Sequence, residues 1–159
     1  MKNILKNSVA ISIAFTIANT QLVASTSHCN ANENVVFSCS TGKKVVSVCA
    51  SKNINSKNGY LQYRFGKLGA PEALIPSNPE SFRSAVNVFE DMTTSVITFK
   101  NGQFSYEILR QMMHVNSDIY LNISNKGKSI ATLTCKEDSL LIDNVDKFDF
   151  KKIGIRVEN

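Results

Sequence analysis

Histidine is scarce in this chain. His28 and His114 are its two imidazoles in 159 residues, and no His-Glu-x-x-His spacing sets a pair of them up for zinc. His114, directly after Met112 and Met113, reads as a structural or solvated residue. No Gly-x-Ser-x-Gly segment occurs, so the strained serine elbow of α/β hydrolases is absent. The cysteines lack the close Cys-x2-Cys knuckle of structural zinc sites. No run of about five like charges makes a basic tail. After the N-terminal stretch, no apolar run is long enough to cross a membrane. An internal repeat, a low-complexity block and a linker are all missing, so residues 25–159 read as a single β-domain. Nothing calls for a cofactor or a metal.

Three partial matches fail on their details. Asn125-Lys126-Gly127-Lys128-Ser129 resembles the end of a phosphate loop, but the first glycine would fall on Asn122, and the flanks are β patterns rather than a strand and a helix. Glycoside hydrolysis needs two carboxylates about 5–9 Å apart. Glu72, Glu80, Glu90, Asp91, Glu107 and Asp118 are available, yet no spacing selects a pair, and solvated surface charge is the expected role. Tyr60-Leu61-Gln62-Tyr63-Arg64-Phe65 interleaves aromatics with a basic residue, as base-stacking sheets do. The expectation is instead that Leu61, Tyr63 and Phe65 face a core and that Arg64 is solvated. Eighteen basic and 13 acidic side chains leave only a mild positive excess, so no nucleic-acid partner is expected.

The N-terminus is more informative. Lys2 and Lys6 form a basic head, residues 8–23 are uncharged and mostly apolar, and Leu22-Val23-Ala24 offers a cleavage point. Residues 1–24 therefore read as a signal peptide. With Asn19, Thr20 and Gln21 near its end, the stretch is short and polar for a span, which needs about 20 apolar residues. The expectation is cleavage, no stable membrane span afterwards, and a periplasmic or secreted product. His28 before Cys29, with Thr26 three residues before that cysteine, is a poor lipid-attachment context.

Four cysteines follow the leader: Cys29, Cys39, Cys49 and Cys135. In an oxidising compartment an even number implies two disulfides, with three possible connectivities. A hairpin can rank them. Residues 35–39 and 44–50 flank a Thr41-Gly42 turn, which sets Cys39 opposite Lys44. Cys49 then lies roughly 17 Å further along the strand, at about 3.4 Å per residue, and points to the other face. A disulfide needs Cα atoms within about 7 Å. The preferred pairing is Cys29–Cys49 with Cys39–Cys135, in which the polar residues 25–34 fold back onto Cys49. A bulge or a three-residue turn at Gly42 would change the parity.

The remaining chain alternates in short segments separated by Gly, Asn and Pro. Residues 60–65, 72–75, 118–124 and 129–135 read as strands, and residues 78–88 as a weak helical turn. The clearest hairpin spans residues 95–109. An Asn101-Gly102 type I′ turn would pair Phe99 with Phe104, Ile97 with Tyr106 and Ser95 with Ile108. The tail reads as strand, short helix or loop between apolar runs at 140–142 and 153–157.

Phe37-Ser38-Cys39, Gly42-Lys43-Lys44, Val48-Cys49, Tyr63-Arg64-Phe65-Gly66, Gly69-Ala70-Pro71-Glu72, Gly127-Lys128 and Thr132-Leu133-Thr134-Cys135 come in an order that resembles a group of small exported bacterial proteins of unassigned activity, with a Tyr-x-Phe-Gly segment after a two-cysteine opening. The two ends of the mature chain are also similar to the C-type (MliC-like) lysozyme inhibitors, small β-barrels in which an early cysteine strand is tied to a late one. The middle lacks their Ser/Gly-rich inhibitory loop and its lysine. That resemblance therefore implies an architecture and no inhibitory residue.

The expected fold is all-β, a compact antiparallel barrel or sandwich of about eight strands with two disulfides. The expected function is binding, not catalysis. The reading is an envelope protein that engages another protein, such as a lysozyme-like cell-wall hydrolase that it inhibits or confers immunity to. The alternatives are a structural component of an envelope complex, offering an edge strand, and a small hydrolase using surface carboxylates. No binding surface is legible at this stage.

Overall fold

A computed structural model describes residues 26–112, 117–136 and 141–159. Residues 1–24, expected to be a signal peptide, lie outside the described residues, as do His114 and Leu140. The strands are β1 (Glu33–Ser40), β2 (Val45–Ser51), β3 (Leu61–Lys67), β4 (Ala70–Ile75), β5 (Val86–Glu90), β6 (Thr94–Asn101), β7 (Phe104–Met112), β8 (Ser117–Asn125), β9 (Lys128–Thr134), β10 (Ile142–Asp143) and β11 (Arg156–Glu158). They form two sheets, ordered β10-β1-β2-β3-β4 and β11-β5-β6-β7-β8-β9. All pairings are antiparallel except β11 with β5. The result is an all-β sandwich rather than a closed barrel.

Alternation builds the shared core. Phe37, Val46, Val48, Leu61 and Tyr63 project from the first sheet, and Val88, Ile97, Phe99, Ile108 and Leu121 from the second. The Tyr63 ring lies 5.6 Å, centroid to centroid, from both Phe99 and Tyr106, which joins the layers. Each fully buried aliphatic or aromatic side chain contributes about 1.5–3 kcal/mol.

The two expected hairpins form with shifted registers. In the first, Cys39 faces Val46 and Ser40 faces Val45, instead of Cys39 facing Lys44. The turn is wider because side chains close it: Thr41 N–H and Oγ1 both donate to the Lys44 carbonyl, at 2.8 and 3.1 Å, and Ser40 Oγ accepts from Gly42 N–H. In the second, Phe99 faces Tyr106, Ile97 faces Ile108 and Ser95 faces Arg110. Gly102, with φ +60°, is the first of two central turn residues and Gln103 the second, whereas Asn101 stays in the strand. A glycine at that first position suits a type II′ turn. Both shifts move partners by two residues and preserve parity, but a bulge in β1 sets Val35, opposite Cys49, and Phe37, opposite Val48, on different faces.

Residues 78–88 hold the expected helical turn and, beyond it, the start of a strand that was not expected. A 3-10 turn (Pro79–Ser81) and one helical turn, α1 (Phe82–Ala85), lead directly into β5, where Val86 and Val88 alternate inward. The tail contributes β10, a 3-10 turn (Val145–Lys147) and β11. Gly66 accounts for the glycine of the Tyr-x-Phe-Gly segment. A Cβ there would sit 2.6 Å from the Glu72 backbone nitrogen and 2.8 Å from the Ala70 carbonyl oxygen, where β4 crosses close.

The disulfides are Cys29–Cys49 and Cys39–Cys135. Cys49 sits opposite Val35, far along β2 from the Cys39 partner Val46, so the argument against Cys39–Cys49 survives the register shift. Beyond β9 the chain changes sheets. Cys135 N–H donates to the Ile119 carbonyl on β8, and Lys136 N–H to the Ser40 carbonyl on β1. The longer disulfide locks that crossing.

Candidate functional site

The central strands of the first sheet are covered on both sides, while its edge strand β4 is largely exposed. Residues 26–29 lie over its outer face: Ser38 Oγ donates to the Thr26 carbonyl, His28 N–H donates to Ser47 Oγ, and Cys29 is bonded to Cys49. Beneath them Arg64, expected in solvent, forms a buried ion pair instead. Its guanidinium reaches both Glu33 carboxylate oxygens, at 2.5 and 2.9 Å, and the His28 carbonyl at 2.9 Å. Burial opposes ionisation of Glu33, but hydrogen bonds from Arg64, Tyr60 and Asn30 N–H outweigh it and hold the carboxyl below its ordinary value. Burial, then the neighbouring Glu33, push the Tyr60 hydroxyl up. Glu33 lies near Cys29 and Cys49 in a grouping of metal-ligand type. Two disulfide sulfurs carry no thiolate, however, and the carboxylate is committed to Arg64 and Tyr60. This cluster is structural.

The second sheet presents a different arrangement at the end where β5 turns into β6. Asp91 shapes that turn, its Oδ1 accepting from Thr93 N–H, Thr94 N–H and Thr93 Oγ1. The Thr93 backbone bond foremost, against some burial, keeps the Asp91 carboxyl below its ordinary range. Met92 stands at the tip, 96 % exposed. Facing the turn is the segment after β10. Asn144 anchors it to β1, its N–H donating to the Val36 carbonyl and its Nδ2 to that of Val35.

Arg110 ties the two together. It faces Ser95 across β6–β7 and is 6 % exposed. Its Nε donates to Asp143 at 2.8 Å, and its two terminal nitrogens grip Asp146 at 2.8 and 3.0 Å. A bidentate guanidinium–carboxylate pair fixes orientation as well as charge. The Arg110 bonds lower the Asp146 carboxyl against some burial. Burial would discharge Arg110, but Asp146 and Asp143 together push it above its ordinary value.

Beside this clamp is a partly open cavity of about 370 Å³. Glu90, Asp91, Asp146 and Asp149 supply carboxylates, and Phe148 and Phe150 an apolar wall. The two rings meet edge-on at 5.1 Å. Ser95 also lines the cavity; it is 4 % exposed, and its hydroxyl has no hydrogen-bond partner. An unpaired buried hydroxyl costs about 1–3 kcal/mol.

On the opposite face of the same sheet, strand pairing aligns Phe89, Val96, Leu109 and Tyr120 in one row across β5 to β8. Phe89 is 38 % exposed and the other three are half-buried. The parallel row, Asn87, Thr98, Glu107, Asn122 and Thr132, is polar. It is internally bonded, with Asn122 Nδ2 donating to Glu107 and Ser129 Oγ donating to Asn122 Oδ1. The apolar row thus lies toward the Met92 end.

Of the carboxylates singled out in the sequence, the fold brings Glu90 and Asp91 to the cavity. Glu72 pairs instead with Lys44 at 2.6 Å, and Glu107 with Asn122. Of the carboxylates at the cavity, Asp91, Asp146 and Asp149 are exposed and Glu90 is half-buried. Sequence reasoning missed Ser95, Arg110, Asp143 and Asp146 as a group. An arginine opposite a serine at inward positions of a hairpin was the available signal. Its acidic partners lie 33 and 36 residues away, and only the fold supplies them.

Comparison with known proteins returned no matching family model, curated protein or solved structure. The two disulfides fit an extracytoplasmic compartment. Among the described residues no helix is long and apolar enough to cross a membrane.

Proposed function

We propose that this chain is an exported bacterial envelope protein, periplasmic or secreted, that binds another protein through the open face of its second sheet and carries out no turnover. The observation that supports this reading is the apolar row of Phe89, Val96, Leu109 and Tyr120, with Met92 projecting at its end. A contiguous apolar strip rimmed by polar residues is the surface pattern of an interaction site.

The face is a better candidate than the edges. Edge strand β4 carries Pro71, which lacks an N–H, and edge strand β9 is bulged near Ile130 and starts at Lys128. Proline, bulges and lysines are the devices that stop strand addition. This argues against a component that donates or accepts a strand at those edges.

The test is capture of partners from periplasm or medium on the oxidised protein, followed by inhibition assays against several muramidases, the first partners that the inhibitor resemblance names. Retention of a defined protein, weakened at least tenfold by Phe89→Ser, is expected. Absence of both a protein partner and muramidase inhibition would overturn the proposal.

A further inference from the structure

We infer that the cavity between the β5–β6 turn and residues 145–151 is a receptor for a basic side chain, an alkylammonium or guanidinium group presented by a protein partner. The inference rests on the protein-binding reading above and names the chemistry its partner must offer.

The cavity is lined unevenly in a way that selects one ligand class. Glu90, Asp91, Asp146 and Asp149 contribute carboxylates, and Lys151 is the one basic side chain in the lining. Among the described residues Lys151 makes no ion pair within 4.0 Å, so it does not occupy the carboxylates. Arg110 spends its guanidinium on Asp143 and Asp146; among the described residues Glu90, Asp91 and Asp149 have no cationic partner, and Asp91 and Asp149 each accept backbone N–H bonds at Oδ1. Negative charge on one side and the Phe148–Phe150 pair on the other suit a group with a charged head and an apolar stem.

Ser95 makes this more than a group of acids. It is 4 % exposed, lines the cavity, and has no hydrogen-bond partner for its hydroxyl. A hydroxyl accepts from an ammonium or guanidinium N–H. A divalent cation fits less well, because the described carboxylates here do not gather three ligand atoms within 4.8 Å of one another. A volume of about 370 Å³ has room for the end of a lysine or arginine side chain. The site lies on the other face of the sheet from the apolar row but at the same Met92 end, so a partner on that row reaches it around the β5–β6 turn, where Asp91 directly precedes Met92.

The experiment is a titration of the oxidised protein, followed by amide chemical shifts, with Nα-acetyl-lysine methylamide, Nα-acetyl-arginine methylamide, the uncharged norleucine analogue and free 1,5-diaminopentane. The expected result is shift changes centred on Ser95 and residues 145–151, with a basic derivative binding at least tenfold tighter than the norleucine analogue. Glu90→Gln and Asp149→Asn should each weaken that binding roughly tenfold, the effect of losing one charge-assisted hydrogen bond. Both should leave Tm unchanged, because neither residue belongs to the Arg110 clamp. Equal binding of the norleucine analogue, or no shifts at the cavity at millimolar concentration, would overturn the inference. Tighter binding of the free diamine would overturn the assignment to a protein side chain. Small-molecule binding without any captured protein would defeat the proposed function and leave the cavity's chemistry standing, so the two failures are distinguishable.

Discussion

The two sheets are built from similar strands and finished differently. In β2 every residue is buried, because one face meets the core and the other lies under residues 26–29. In β6 burial alternates with half-exposure, and the outward residues include the apolar Val96. The first sheet has its outer polar groups satisfied internally, and a disulfide holds the cover in place. Among the described residues the second leaves an apolar row partly exposed. One layer is sealed over its central strands, and the other presents a surface.

The sharpest way to break this contrast is to remove the disulfides separately. Replacing Cys39 and Cys135 with alanine should cost about 4–5 kcal/mol, since the bond closes a loop of 96 residues. Replacing Cys29 and Cys49 should cost about 3 kcal/mol on loop length alone. Urea unfolding measures both. If the shorter bond costs as much as the longer, the cover over the first sheet contributes packing beyond chain entropy.

Glu33→Gln probes the closed face itself. The Glu33 side chain is fully buried and that of Arg64 is 13 % exposed, so breaking the pair should cost about 3 kcal/mol. Asp146→Asn, at the open end, should cost about 1 kcal/mol, because its side chain is 67 % exposed and solvent screens the pair. Similar losses for the two would erase the distinction between the ends.

Acid should act on the same contrast. The folded Glu33 carboxyl is depressed relative to an ordinary value of 4.5. Its contribution is therefore present above that pH and is lost as pH falls below it through the folded value. Unfolding curves between neutral pH and pH 3 should show the wild type losing stability on that limb, with Glu33→Gln showing a shallower slope. Parallel slopes would mean that other carboxylates dominate.

The smallest stability effects belong to the open face. Phe89→Ser and Met92→Ser should each change unfolding free energy by less than about 1 kcal/mol, yet reduce partner capture at least tenfold. A large loss of stability would show the row to be packing rather than docking surface.

Much of this was readable from residue order. Period-two alternation assigns the faces of β2, β3, β6, β7 and β8, and it tolerates the two-residue register shifts because those preserve parity. The same parity excluded Cys39–Cys49, and the polar residues before β1, able to fold back onto Cys49, pointed to the pairing that forms. What stayed hidden depends on contacts between distant segments. Arg64 reads as solvated until residues 26–33 fold over it. Ser95 and Arg110 meet within the β6–β7 hairpin, but Asp143 and Asp146 join them only when the tail returns. The β5 strand was obscured by α1 immediately before it.

The crossing at Cys135 also sets an order of events. Cys39 is on the first strand of the domain, and its partner follows 96 residues later. A nascent chain emerging N-terminus first can close the Cys29–Cys49 loop while β3 is still to come. The clamp between the layers has to wait until β5 to β9 have been delivered, whereas β10 and β11 follow it. The long disulfide therefore marks the meeting of the two layers: an oxidised Cys39–Cys135 bond reports that β1 to β9 have arrived, before the tail adds one edge strand to each sheet.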